Sequence, residues 1–173
     1  YIRWLVQQDM TAAEGFWRET LAGFTLPTPV PIATQPKHQS LEAPFPLALS
    51  AEATASIQVF LRAHRLTLNT LLQAAWALFL SRRAGQSDVL GDVLFGATVS
   101  GRQADLAGVE SIVGLLINVL PVRVQMQRER SVIDWLQALQ TQQAEASQYA
   151  YVSPVQIQSW SECSRRLFNS LLV

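Results

Sequence analysis

Two histidines, one cysteine and an amide inside an apolar run are where chemistry could attach in this sequence. His38 sits in a proline-rich stretch, where an imidazole is solvated. His64 shares a helical face with Ile57, Phe60 and Leu61 near the end of the pattern, where a partial positive charge suits the helix dipole. A general base must lie within hydrogen-bond reach of the group it deprotonates, and no feature places either histidine there. Ser-His-Asp catalysis therefore lacks a base. Cys163, being single, supplies neither a disulfide framework nor a thiolate cluster for zinc. Metal ligands do not cluster, and no glycines stand at phosphate-loop spacing. Asn118 is the notable polar residue, because buried amides must be paired. It either bonds backbone in the core or faces a space where it orients a substrate. Ser100, Gly101 and Arg102 end the preceding apolar run, and Gly101 permits close backbone approach.

The elements that must position these residues are legible in outline. Val93 to Val99 and Leu115 to Val124 are rich in β-branched and aromatic residues and read as two strands around a polar turn, the second interrupted only by Pro121. Thr11-Ala12-Ala13-Glu14 reads as a capping box that starts a helix to about Leu21, stopped by Gly23. Residues 24–40 carry many prolines and read as a surface linker, followed by a short strand from Phe45 to Leu49. Ser50 caps a helix to about His64. Thr67 caps another, through Leu80, whose apolar residues wrap nearly all round and predict a central position. Ser131 opens a helix to about Tyr149, with Trp135, Leu136, Leu139 and Ala146 inward and a glutamine-rich outer side. Pro154 starts a short helix.

A chain of 173 residues can bury one good core. Thirteen basic and thirteen acidic residues give zero net charge, so nothing argues for nucleic acid or an anionic membrane surface. The apolar window Leu71 to Leu80 is far short of a membrane span, and no signal peptide opens the sequence. Only 15% of residues are charged and mean hydropathy is +0.16, which predicts apolar surface meant for a neighbour.

FGATVSGR followed by GVESIVGLLINVLPVR resembles the condensation domains of nonribosomal peptide synthetases, whose motif is Ile/Val-Gly-x-Phe-Val-Asn-Thr-Leu-x-x-Arg. Val113, Gly114, Ile117, Asn118, Leu120 and Arg123 match it, with Leu116 in place of Phe and Val119 in place of Thr. Tyr1-Ile2-Arg3-Trp4 resembles the second half of a further family motif, and the stretch from Tyr149 resembles the His-x-x-x-Pro region with Tyr149 in place of His. Asp88-Val89-Leu90 followed by Asp92-Val93-Leu94 departs from the family as a local duplication, with a lengthened loop expected before the strand.

The resemblance implies an α/β fold, a chloramphenicol-acetyltransferase-like subdomain with a mixed β-sheet covered by helices. It implies that residues 1–173 are the C-terminal subdomain of a condensation domain, cut at both ends. The implied activity is amide formation between a donor acyl or peptidyl thioester and an acceptor aminoacyl thioester. No cofactor is bound directly, since substrates arrive on phosphopantetheine arms of donor and acceptor carrier proteins. The implied partners are those carriers and the N-terminal half; nucleic acid and membrane are not among them. The setting is cytoplasmic. The family's His-His-x-x-x-Asp-Gly signature does not occur in these residues, so the chain alone is expected to be inactive. Asn118, Ser100, Gly101 and Arg102 are the candidates for the wall of the substrate tunnel; Arg102 either pairs a carboxylate of the other half or is solvated. Arg82-Arg83 and Arg128 to Arg130 read as helix ends and turns, or as a contact for acidic carriers. Two alternatives stay open: an epimerization or acyltransferase domain of the same superfamily, and a non-catalytic remnant that only docks.

Overall fold

Two nine-residue strands form the middle of the molecule. β1 (Asp92–Ser100) and β2 (Ile117–Gln125) pair antiparallel from Asp92 opposite Gln125 to Ser100 opposite Ile117. A short β3 (Leu171–Leu172) lies parallel to β1 on its other side, so the sheet is mixed, in the order β2-β1-β3. Pro121 is tolerated because β2 is an edge strand, and Gly96 opposite it sends its own N–H to Ser170 O at 2.9 Å. The computed structural model describes residues 1–30, 46–83, 91–101, 106–126 and 129–173.

Side chains alternate across the sheet and fill a core on each face. Val93, Phe95 and Ala97, with Val122 and Val124, pack against α3 (Ala51–His64), α4 (Leu68–Arg83) and α5 (Val132–Ser147). Leu94 points the other way, into a cluster with Trp17 and Leu21 of α2 (Met10–Leu21) and Ile157 and Trp160 of α6 (Pro154–Trp160). A first short helix, α1 (Ile2–Val6), lies over Tyr151, with Trp4 edge-on to its ring at 5.9 Å.

Helix starts follow short-range capping. Ser50, Ser131 and Ser153 each accept an N–H from the first turn of α3, α5 and α6, and Thr67 accepts from Thr70 N at 3.1 Å. The start of α2 corrects the expected capping box. Its cap is Asp9, whose carboxylate accepts from both Thr11 N and Ala12 N at 2.9 Å, while Glu14 pairs with Arg18 one turn on. A charged oxygen serving two amides outcompetes a hydroxyl two residues later. Gly23, at φ 74°, takes the chain out of the helix.

The described part of the expected surface linker, Phe24 to Val30, exposes Thr25, Leu26 and Pro29 but is anchored to the sheet at two points. Phe24 and Thr28 are buried, and Thr28 Oγ1 accepts from Leu94 N at 2.7 Å. The side of β1 away from β2 needs partners for its amides where β3 does not reach, and this segment supplies one. No strand forms over Pro46 to Leu49, which are exposed and have no neighbouring strand; Phe45 lies outside the described residues, as do His38 and Asp88-Val89-Leu90.

α4 also differs from expectation. It buries Thr70, Gln73, Ala74, Ala77, Leu80 and Ser81, while Leu68, Leu72 and Phe79 are exposed. Thr70 and Gln73 find polar partners on Gln140 and Gln143 of α5, while Ala74, Ala77 and Leu80 join the apolar cluster against the sheet.

Candidate functional site

The motif residues of β2 are clamps. Asn118 is half-buried and donates both amide hydrogens, to Ala150 O at 2.8 Å and Val152 O at 2.7 Å, while its Oδ1 accepts from Val119 N at 2.8 Å. One side chain thus ties β2 to the turn between α5 and α6. That turn is further fixed by Tyr149, stacked on Phe16 at 4.6 Å, and by Tyr151, which donates to Asp9 O at 3.1 Å. Burial, with the nearby Tyr149 and Asp9, pushes the Tyr151 hydroxyl above the usual phenol range.

Arg123 clamps the opposite end of β2. Its Nε lies 3.0 Å from both Asp92 oxygens and its Nη2 2.6 Å from Oδ2, while Nη1 donates to Thr20 O and Ala22 O at 2.9 and 2.8 Å. The guanidinium also lies 5.7 Å from the centre of the Phe24 ring. It therefore satisfies the last carbonyls of α2 and locks that helix to the sheet.

Gly101 donates its N–H to Leu116 O at 2.9 Å, and a Cβ there would collide with that same oxygen. Only glycine lets the two chain segments close at the end of the hairpin. Ser100, exposed, is the candidate that lines a cleft, and Arg102 lies outside the described residues. His64 packs on Phe60 with ring centres 4.7 Å apart, and Cys163 is buried. Among the described residues no group of three or more His, Cys, Asp or Glu could hold a metal ion, and no helix is long and apolar enough to cross a membrane.

The cleft that Ser100 lines has a volume of about 470 Å³ and opens between the first turns of α4, the last turns of α5 and the adjoining ends of β1 and β2. Its floor is apolar, from Ala97, Val99 and Leu120; its walls carry amides, from Gln73, Gln140 and Gln143, and hydroxyls, from Thr67 and Ser147. Gln140, Gln142 and Gln143 of α5 therefore face inward, correcting the expected outer glutamine side, while Gln137 is exposed. Gln140 Oε1 accepts from Thr67 N and Thr70 Oγ1 at 2.8 and 3.1 Å, and its Nε2 donates to Arg65 O at 2.9 Å. Gln142 donates to Arg123 O at 2.8 Å and Gln143 to Gln73 Oε1 at 2.7 Å. The sequence signal for this layer is the pair Thr70 and Gln73, which interrupts the apolar pattern one turn into α4.

The sequence matches the model of a family described as "Condensation domain" over residues 1–173. The chain belongs to the condensation-domain family. One of the linear gramicidin synthase proteins of Brevibacillus parabrevis is 49% identical over 183 residues, covering 100% of this chain and 3% of that protein. Chondramide synthase cmdD of Chondromyces crocatus is 42% identical, covering 100% and 4%. The chain thus spans a few hundredths of the length of these relatives. A crystal structure described as holo T3CT is similar at 31% identity and a TM-score of 0.60, over 90% of this chain and 31% of that one. The X-domain from teicoplanin biosynthesis matches at a TM-score of 0.74 and 23% identity, over 95% and 37%, which shows the shared fold. This condensation-family chain therefore has the chloramphenicol-acetyltransferase-like mixed sheet covered by helices. Its Asn-to-Arg motif lies along β2, where both named polar residues join elements distant in sequence.

Proposed function

We propose that this chain is the C-terminal part of a condensation domain that forms an amide bond in nonribosomal peptide synthesis. The carrying observation is the match to the condensation family along all 173 residues, together with relatives that are peptide synthases. In this reading the amine of an acceptor aminoacyl thioester adds to the carbonyl carbon of a donor thioester. The C–N bond forms, the C–S bond breaks, and the donor thiol leaves with a proton. The base that takes the amine proton belongs to the N-terminal half, because His-His-x-x-x-Asp-Gly does not occur in these residues. Both thioesters arrive on phosphopantetheine arms of carrier proteins in the cytoplasm, and the chain holds no cofactor of its own. Its contribution is one wall of the substrate space, kept in register by Asn118, Gly101 and Arg123.

Reconstitution tests this reading. The chain is mixed with a separately expressed N-terminal half bearing the histidine motif and with two loaded carrier proteins, and product is followed by mass spectrometry. Peptide product that requires both halves is expected. A stable two-half complex that makes none would overturn the condensing reading and favour a docking remnant.

A further inference from the structure

We propose that Asn118, Pro121 and Gln142 together close the outer edge of β2 to a further strand, so that another extended chain cannot lengthen the sheet on that side. Gly96 and Pro121 stand opposite each other, and Gly96 sends its N–H away from β2, to Ser170 O. They are therefore a non-hydrogen-bonded pair, whose backbone groups turn away from one another. Pro121 faces outward, and by alternation Val119 and Arg123 do too. Among the described residues no strand lies on that side. All three positions are nonetheless blocked. The Val119 N–H donates to Asn118 Oδ1 at 2.8 Å, Pro121 has no N–H, and the Arg123 carbonyl accepts from Gln142 Nε2 at 2.8 Å. None of them offers a free donor and a free acceptor together, so an incoming strand would bury backbone groups that it leaves unpaired. The composition of β2 calls for such a guard. INVLPVRVQ is mostly apolar and β-branched with one charge, the kind of segment that templates strand addition when its edge is open. That charge repels nothing, because Arg123 is paired with Asp92.

Pro121→Val restores a donor, and Gln142→Leu uncovers the Arg123 carbonyl. The 173-residue chain carrying both changes is incubated at micromolar concentration beside the unaltered chain, with thioflavin T fluorescence and the infrared band of intermolecular strands as readouts. Both readouts report strand pairing rather than association through helices. The double variant should shorten the lag at least about tenfold, and each single change less. Gln137→Leu adds the same side chain at an exposed position elsewhere on α5 and should keep the original lag. Ile157→Val weakens the core cluster on the other face of the sheet without touching this edge, and it should keep that lag as well. An unchanged lag in the double variant, or a lag shortened as much by Gln137→Leu or Ile157→Val, overturns the proposal. Hydrogen exchange in the unaltered chain tests the guard without any substitution. A Val119 amide that exchanges at least about tenfold more slowly than an unprotected one supports it, and exchange at the unprotected rate overturns it.

Discussion

At the scale of single residues, the two polar positions of the β2 motif are separable by the kind of damage each substitution does. Asn118→Ala removes the two donors that serve the α5–α6 turn and the acceptor that serves Val119 N, and unpaired groups of this kind cost about 1–3 kcal/mol. Asn118→Asp keeps the acceptor for Val119 N but aims a carboxylate at the carbonyls of Ala150 and Val152. It should therefore be the more destabilising of the two in urea unfolding, and an Asp variant as stable as wild type would sink the clamp. Arg123→Ala should cost about 2 kcal/mol, below the range for a fully buried pair because the Asp92 side chain stays 35% exposed. Arg123→Lys should recover little of this, since an ammonium cannot face a carboxylate and two carbonyls in one plane. A double-mutant cycle with Asp92→Asn measures the ion-pair share, expected at about 1 kcal/mol. A coupling of zero would transfer the stabilisation to the bonds with Thr20 and Ala22.

At the scale of elements, what the sequence discloses is what short-range chemistry decides. The two strands are legible because β-branched residues crowd Val93 to Val99 and Ile117 to Val124, and three helix starts because a serine stands immediately before each. The inward turn of Gln140, Gln142 and Gln143 is not legible, because their partners Thr67, Arg123 and Gln73 lie 19 to 73 residues away. The same holds for Phe24 to Thr28, which read as linker because only β1, some seventy residues on, gives Thr28 its role. The α3–α4 junction is a third case and carries a prediction. Arg65 ends α3 at φ 55°, a left-handed conformation that a side chain disfavours by about 1–2 kcal/mol. Its fold contribution is its carbonyl, which accepts from Gln140, and glycine keeps that carbonyl. Arg65→Gly should therefore raise stability by up to about 1 kcal/mol after the added flexibility of the unfolded chain is counted. A lower melting temperature would mean that the arginine side chain itself contributes.

At the scale of the whole molecule, the low charge and positive mean hydropathy find their place on the outward face of α4. Leu68, Leu72, Ala75 and Phe79 recur at helical spacing on that face and are all exposed; Trp76, half-buried, stacks on Phe79 at 5.2 Å and reaches Ser170 beside β3. Leu171 and Val173 continue the apolar surface at that end of the sheet. Contiguous apolar surface of this kind drives association in water, because covering it releases the hydration that exposure imposes. The inward face of α4 is already closed by its partners on α5, so association need not disturb the core. The isolated chain should accordingly self-associate as its concentration rises from micromolar to millimolar, seen as a growing weight-average mass in sedimentation. Leu72→Glu with Phe79→Lys should hold it monomeric with little change in melting temperature, because surface substitutions away from packed groups stay within about 0.5 kcal/mol each. A wild-type chain that remains monomeric throughout would mean that the α4 stripe is too narrow to drive association. A double variant that unfolds would mean that Phe79 supports the fold through Trp76.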